Sequence, residues 1–353
     1  MELEISHKEI LKADRNYEES ASLAKLVYVN TSDPGIIRLK KGKSFQYTFM
    51  NKPVRDKKKL DRIRKLVLPP AWTDVWICPS PHGHIQATGL DARRRKQYRY
   101  HELWNQFRKE TKFHKLYEFG KTLPNIRAKV ERDISQKNLT REKVLATVVS
   151  LMEHTGIRVG NAEYEKANGS HGLTTLKDKH AKISGDKLTL SFVGKKGILH
   201  NITLKSKRLA RIVSQCRDIP GKELFQYIDE NGERKSIDSG MVNEYIREAC
   251  GKDFTAKDFR TWSGTLQALM EFSALNANVE APSTRKNVNV VLDCVSRKLG
   301  NSRTICKKYY VHPALIQLYE EDKLNSYLTQ YKNGSTPTSI YEEILLKILK
   351  SSI

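Results

Sequence analysis

Between Ala181 and Leu204 the apolar residues Ile183, Leu188, Leu190, Phe192, Ile198 and Ile202 follow a period of two, with Val193 beside them, whereas on either side they recur at helical spacing. A period that drops from about 3.6 to two and then returns predicts one small three-stranded antiparallel sheet set into a helical body. The turns fall at Ser184-Gly185-Asp186 and at Gly194-Lys195-Lys196-Gly197. The second lifts two lysines clear of the sheet. Lysine at a hairpin tip keeps many sheets soluble, but a mobile tip is also how a proton donor reaches a leaving group.

Upstream, the spacing predicts helices over His101–Phe119 ending at Gly120, over Leu123–Ser135, and over Thr140–His154 ending at Gly156, the last with Val144, Val148 and Leu151 as its buried stripe. Downstream, the stripe Val288, Val291, Leu292, Val295, Leu299 closes at Gly300, and a segment from Asn301 to Pro313 opens the final helices. The tail after Tyr331, with Gly334 and Pro337, adds a helix over Ile340–Leu349.

The start of the chain reads differently. Residues 1–34 are polar and helical in flavour, and strand-like runs then follow at Ile36–Leu39 and Phe45–Phe49, joined by Lys40-Lys41-Gly42-Lys43. A charged helix, Asp56–Leu66, stops before Pro69-Pro70, and a second hairpin pairs Trp72–Cys78 with His84–Thr88. The fold class expected is therefore α+β. It has a small strand-rich N-terminal domain, residues 1–107, and a mostly helical catalytic domain, residues 108–353, carrying the three-stranded sheet.

Lys and Arg outnumber Asp and Glu 63 to 40, for a net charge of +23 spread along the whole length. A folded protein so charged expects a polyanion, and nucleic acid precedes an anionic membrane as the candidate. No apolar run approaches the roughly 20 residues of a spanning helix, and Met1–Ser20 is charged throughout with no signal-peptide pattern. The five cysteines are scattered and form no C-x-x-C pair, which predicts reduced thiols, no zinc site and a cytoplasmic location, at the nucleoid in a bacterium. The most basic stretch, Asp91–Tyr100, places Arg93, Arg94, Arg95, Lys96 and Arg99 around Gln97, with Tyr98 and Tyr100 on one strand face. Cations neutralise phosphates while glutamine and tyrosine reach sugars or base edges, so this stretch is the candidate DNA-contacting strand.

Three separated stretches suit chemistry on a phosphodiester. Thr255 with Asp258 fits a capping box, and Phe259, Trp262, Leu266, Leu269 and Met270 follow at helical spacing. Arg260 and Lys257 then lie near a helix N-terminus, where anions are favoured; two solvated cations would read the same locally. Arg158 sits in the glycine-flanked turn Gly156-Ile157-Arg158-Val159-Gly160, and Tyr310 precedes Val311-His312-Pro313.

Arg158, Lys195, Lys257 to Arg260, Asn301 and Tyr310, in this order and spacing, resemble the type IB DNA topoisomerases, particularly the poxvirus and bacterial members. The resemblance covers most of the chain, since Lys96-Gln97-Tyr98-Arg99-Tyr100 looks like that family's N-terminal DNA-contacting strand. It implies Tyr310 as nucleophile, Arg158 and Arg260 as the catalytic arginines, Lys195 as general acid with Lys257 its partner or relay, and a covalent link to the DNA 3′ end. Asn301 falls where poxvirus and nuclear enzymes usually have histidine; bacterial members often have asparagine there, a hydrogen-bond donor and not a titrating group.

No cofactor or metal is expected. Arginines and lysines do the charge work, and the stored phosphotyrosine bond makes ATP unnecessary. The partner implied is double-stranded DNA, with a monomer clamping the duplex. Two other readings remain at this point. A tyrosine recombinase uses a related residue set but usually shows His-x-x-Arg in place of Lys257-Asp258-Phe259-Arg260, and a non-enzymatic basic DNA-binding protein would not need Tyr310.

Overall fold

The computed structural model describes residues 7–13, 16–42, 44–276, 285–328 and 337–352. The chain divides into two compact units, Met1–Lys115 and Leu116–Ser352.

The first unit opens with α1 (His7–Ala13) and α2 (Tyr17–Leu23), the latter capped by the Asn16 side chain accepting from Glu18 and Glu19 N–H. Strands β1 (Ile36–Lys41), β2 (Ser44–Phe49) and β3 (Lys52–Pro53) precede α3 (Lys57–Lys65). β4 (Thr73–Ile77), β5 (Ile85–Leu90) and β6 (Lys96–Tyr100) follow. The two expected hairpins merge into one antiparallel six-stranded sheet, ordered β3-β2-β1-β4-β5-β6, because Ile36 and Ile37 pair with Ile77 and Trp76. Ile36, Val75, Ile77 and Ala87 pack with Ile63 of α3. Lys43 of the expected turn lies outside the described residues, as do Tyr331 and Gly334 of the tail.

α4 (Glu102–Ile134) corrects one expectation. It is a single helix of 33 residues running through Gly120 and Pro124, not two helices broken at Gly120. Pro124 removes only one helical hydrogen bond. Gly120 serves packing, not termination: a Cβ there would lie 2.4 Å from the Trp262 ring.

The second unit continues with α5 (Arg141–Thr155), capped by Thr140 and ended by Gly156 in the left-handed conformation, φ 66°. α6 (Ala162–Asn168) leads to β7 (Ala181–Ser184), β8 (Lys187–Val193) and β9 (Leu199–Lys205), the expected three-stranded sheet. α7 (Lys207–Asp218), the ribbon of β10 (Gln226–Ile228) and β11 (Arg234–Ser236), and α8 (Ser239–Cys250) precede α9 (Ala256–Asn276). α10 (Arg285–Leu299), α11 (Arg303–Tyr309), α12 (Pro313–Glu320), α13 (Asn325–Leu328) and α14 (Thr338–Ser351) complete it.

Helix α9 is the hub, touching α5, α8, α10, α12, α13 and α14. Phe259, Trp262, Leu266, Ala268, Leu269 and Phe272 all bury against one continuous core that includes the expected stripes of α5 and α10. Glu342 of α14 reaches the same hub. Its carboxylate accepts from both Arg127 terminal nitrogens, at 2.8 and 2.6 Å, and from Trp262 Nε1 at 3.4 Å.

Candidate active site

The site is assembled from helix ends. Asp258 caps α9, its carboxylate accepting from Thr255 N–H at 2.8 Å and Thr255 hydroxyl at 3.0 Å, so the first turn starts where the sequence predicts. Arg260 lies further in, five residues along the helix, and is only 5% exposed. Its two terminal nitrogens donate to Gly156 O, at the end of α5, and to Leu299 O, at the end of α10 (2.8 Å). One guanidinium thus satisfies the orphan carbonyls of two helix C-termini and gathers them at one point.

Arg158 follows Gly156 and donates through Nη2 to Asn301 Oδ1 at 2.9 Å and more loosely to Gly300 O at 3.4 Å. Burial, with the charge of Arg260 added, pulls Arg158 down to about 10; burial likewise lowers Arg260. No ion pair to a carboxylate joins either guanidinium among the described residues. A buried cation and a half-buried one held together without a carboxylate partner cost free energy that an anion would offset.

Unused donors lie at the same cluster. Of the four buried side-chain polar atoms without a hydrogen-bond partner among the described residues, two are Arg260 Nε and Asn301 Nδ2. Such orphans are rare in native proteins and call for an absent acceptor.

Tyr310 ends α11, its N–H donating to Cys306 O at 2.9 Å. The Arg260 guanidinium stands 5.2 Å from the centre of its ring. Its carbonyl accepts from Thr265 hydroxyl at 3.1 Å. Gly264 allows that approach, since a Cβ there would lie 2.6 Å from Tyr310 O. The neighbouring Tyr309 has a different setting: it is 39% exposed, with the Lys308 ammonium 5.3 Å from its ring.

The arrangement sets hydrogen-bond donors of two arginines and an asparagine near a phenol. With that geometry in place, similarity to known proteins becomes decisive. The eukaryotic DNA topoisomerase I catalytic core matches residues 101–336, and the bacterial DNA topoisomerase IB N-terminal domain matches residues 44–91. The DNA topoisomerase 1B of Acanthamoeba polyphaga mimivirus is 34% identical over 90% of this chain and 95% of its own length. The chain belongs to the type IB DNA topoisomerases. The DNA topoisomerase I of Monkeypox virus is 25% identical over 80% of this chain and 89% of its own, and that of Vaccinia virus (strain Copenhagen), named DNA topoisomerase 1B, is 24% identical over the same shares.

Within this topoisomerase, Arg158, Arg260, Asn301 and Tyr310 come together. Lys195 stands at the exposed tip between β8 and β9, its ammonium 5.6 Å from the centre of the Tyr164 ring. Lys257 is exposed at the start of α9 and makes no side-chain hydrogen bond or ion pair to the cluster among the described residues.

The basic strand belongs to the first unit. Tyr98 and Tyr100 stack at 5.7 Å with 11° between planes, 44% and 37% exposed, as the period of two implies. Arg93, Arg94 and Lys96 are exposed. Arg95 is paired with Asp91 at 2.7 Å, and Gln97 donates to the same carboxylate at 3.0 Å, so a partner would have to compete for both.

Sequence reasoning passed over His200, which stacks on Phe192 at 4.9 Å and 15°. Burial first, then the charges of Arg158 and Arg260, push its pKa below the usual value. As one more half-buried side chain in an alternating strand, it gave no signal of its own. Gly264 and Thr265 were equally silent, being ordinary residues inside a helix.

Proposed function

We propose that this type IB DNA topoisomerase cuts and rejoins one strand of duplex DNA with Tyr310 as nucleophile. The phenol gives up its proton to water as its oxygen bonds to phosphorus and the P–O5′ bond breaks, leaving a 3′-phosphotyrosyl link; the freed 5′-hydroxyl later attacks it, the phenol regains a proton, and the strand is restored. Between the two steps the downstream duplex rotates and supercoils relax. No ATP enters, because the bond energy is conserved in the covalent link.

Arg158, Arg260 and Asn301 take the two non-bridging oxygens. The observation that carries this reading is the buried Arg260 and half-buried Arg158 guanidiniums without a carboxylate partner among the described residues, with Arg260 Nε and Asn301 Nδ2 left as unused donors and Arg260 standing over the Tyr310 ring. Donors fixed in advance, and already out of water, stabilise charge that grows in the transition state. Lys195 delivers the proton to the departing O5′, and Lys257 assists. The two units close on duplex DNA, the strand bearing Arg93, Arg94, Arg95, Lys96, Gln97, Tyr98 and Tyr100 against the groove, and one chain suffices as a monomer.

Relaxation of a supercoiled plasmid in EDTA without ATP tests the reading. The native chain should relax it; Tyr310→Phe should bind DNA yet neither relax it nor leave a covalent adduct after denaturing quench. An adduct surviving in Tyr310→Phe would move the nucleophile to Tyr309.

A further inference from the structure

His200 occupies a slot that two backbones leave for it. On one side is Gly194, immediately before Lys195: a Cβ built there would lie 2.7 Å from both Cδ2 and Nε2 of the His200 ring. On the other is Gly300, immediately before Asn301, where a Cβ would lie 2.4 Å from Cε1 and 2.9 Å from Nε2. Phe192, directly opposite His200 in the β8–β9 register, covers the ring face.

The ring is therefore wedged between the hairpin that carries the lysine and the loop that carries the asparagine. It makes no side-chain hydrogen bond among the described residues, so shape alone accounts for its place. Both glycines are explained by it. Gly300 is in the left-handed region, φ 55°, where glycine is favoured in any case. Gly194 is not: its φ of −93° and ψ of −168° suit an ordinary side chain, so only the imidazole forbids one.

We propose that His200 is a positioning residue, docking the β8–β9 hairpin against the Gly300-Asn301 loop so that the Lys195 ammonium is held at a fixed distance from the phosphate site. The inference rests on the assignment of Lys195 as proton donor. A donor on a less firmly held tip samples more positions, and misplacement by about 1 Å costs up to about a hundredfold in rate. A single planar ring packed on both sides removes that freedom without adding charge to a pocket that already holds two guanidiniums.

The test is single-turnover cleavage by the full chain, with His200→Ala, Gly194→Ala and the double variant, on an ordinary phosphodiester and on a 5′-bridging phosphorothiolate whose leaving thiolate needs no proton. Each single variant should lose about ten- to a hundredfold on the ordinary substrate and recover most of it on the phosphorothiolate. The double variant should be no slower than His200→Ala, because without the ring the added methyl meets nothing close. Equal losses on both substrates, additive losses in the double variant, or a near-native rate for His200→Ala would each overturn the proposal. If His200→Ala fails to fold, Gly194→Ala alone carries the comparison between substrates. Lys195→Ala, run alongside, separates the two ideas: if the phosphorothiolate does not rescue it, the donor assignment fails, whereas the coupling between Gly194 and His200 still reports whether the ring docks the hairpin.

Discussion

At Asn301 the two ends of one amide have separate tasks. Oδ1 is occupied by Arg158, whereas Nδ2 is buried and unused. Asn301→Asp keeps the acceptor, replaces the donor with a negative oxygen, and supplies the counter-ion that Arg158 and Arg260 lack. The variant should melt at a higher temperature than the native chain and cleave DNA more slowly, by roughly a hundredfold, the usual consequence of losing one preorganised donor. Stability and rate moving in opposite directions identify a site strained for an absent anion; a variant that melts higher and cleaves at the native rate would remove Asn301 from the reaction. Arg260 differs in kind. Its terminal nitrogens donate to Gly156 O and Leu299 O while Nε is a buried donor without a partner, and lysine cannot reproduce the three directions.

Among the elements, α9 does most to set the geometry, because it carries Arg260 on one turn and Gly264 and Thr265 on the next. Gly264 sits in a helix interior, where alanine would be preferred by up to about 1 kcal/mol. Yet a Cβ would meet Tyr310 O at 2.6 Å, with Leu299 at 3.1 Å. Gly264→Ala should therefore push the end of α11 away from α9 and slow adduct formation by at least about tenfold. Single-turnover cleavage with far-UV circular dichroism as a folding check measures it; undiminished cleavage would mean that Tyr310 does not depend on this contact. The merging of two predicted helices into α4 has the same origin. Glycine and proline in sequence read as helix punctuation, but Gly120 was answering to Trp262, a neighbour 142 positions away along the chain.

For the whole molecule, the net charge of +23 overstates what is free to meet DNA. Arg38 is spent on Pro69 and Trp72 carbonyls, Arg62 on Gln86, and Arg127 on Glu342 and Glu153. Arg93 and Lys96 remain exposed on the basic strand and its turn. Duplex binding should weaken steeply with salt, and Arg93→Ala or Lys96→Ala should each reduce the slope of log affinity against log salt by about one; an unchanged slope in both would remove this strand from the DNA interface. By itself, the sequence determined the α+β class, the three-stranded sheet and the cap of α9, since these follow from local period and capping chemistry along one chain. Tertiary structure alone decided that Arg260 is buried and braced by two helix ends, and that His200 lies between the lysine hairpin and the asparagine loop. Arg260 meets Gly156 across 104 positions and Leu299 across 39, and His200 lies 100 positions from Gly300; no local pattern encodes a distance between segments that touch only after folding.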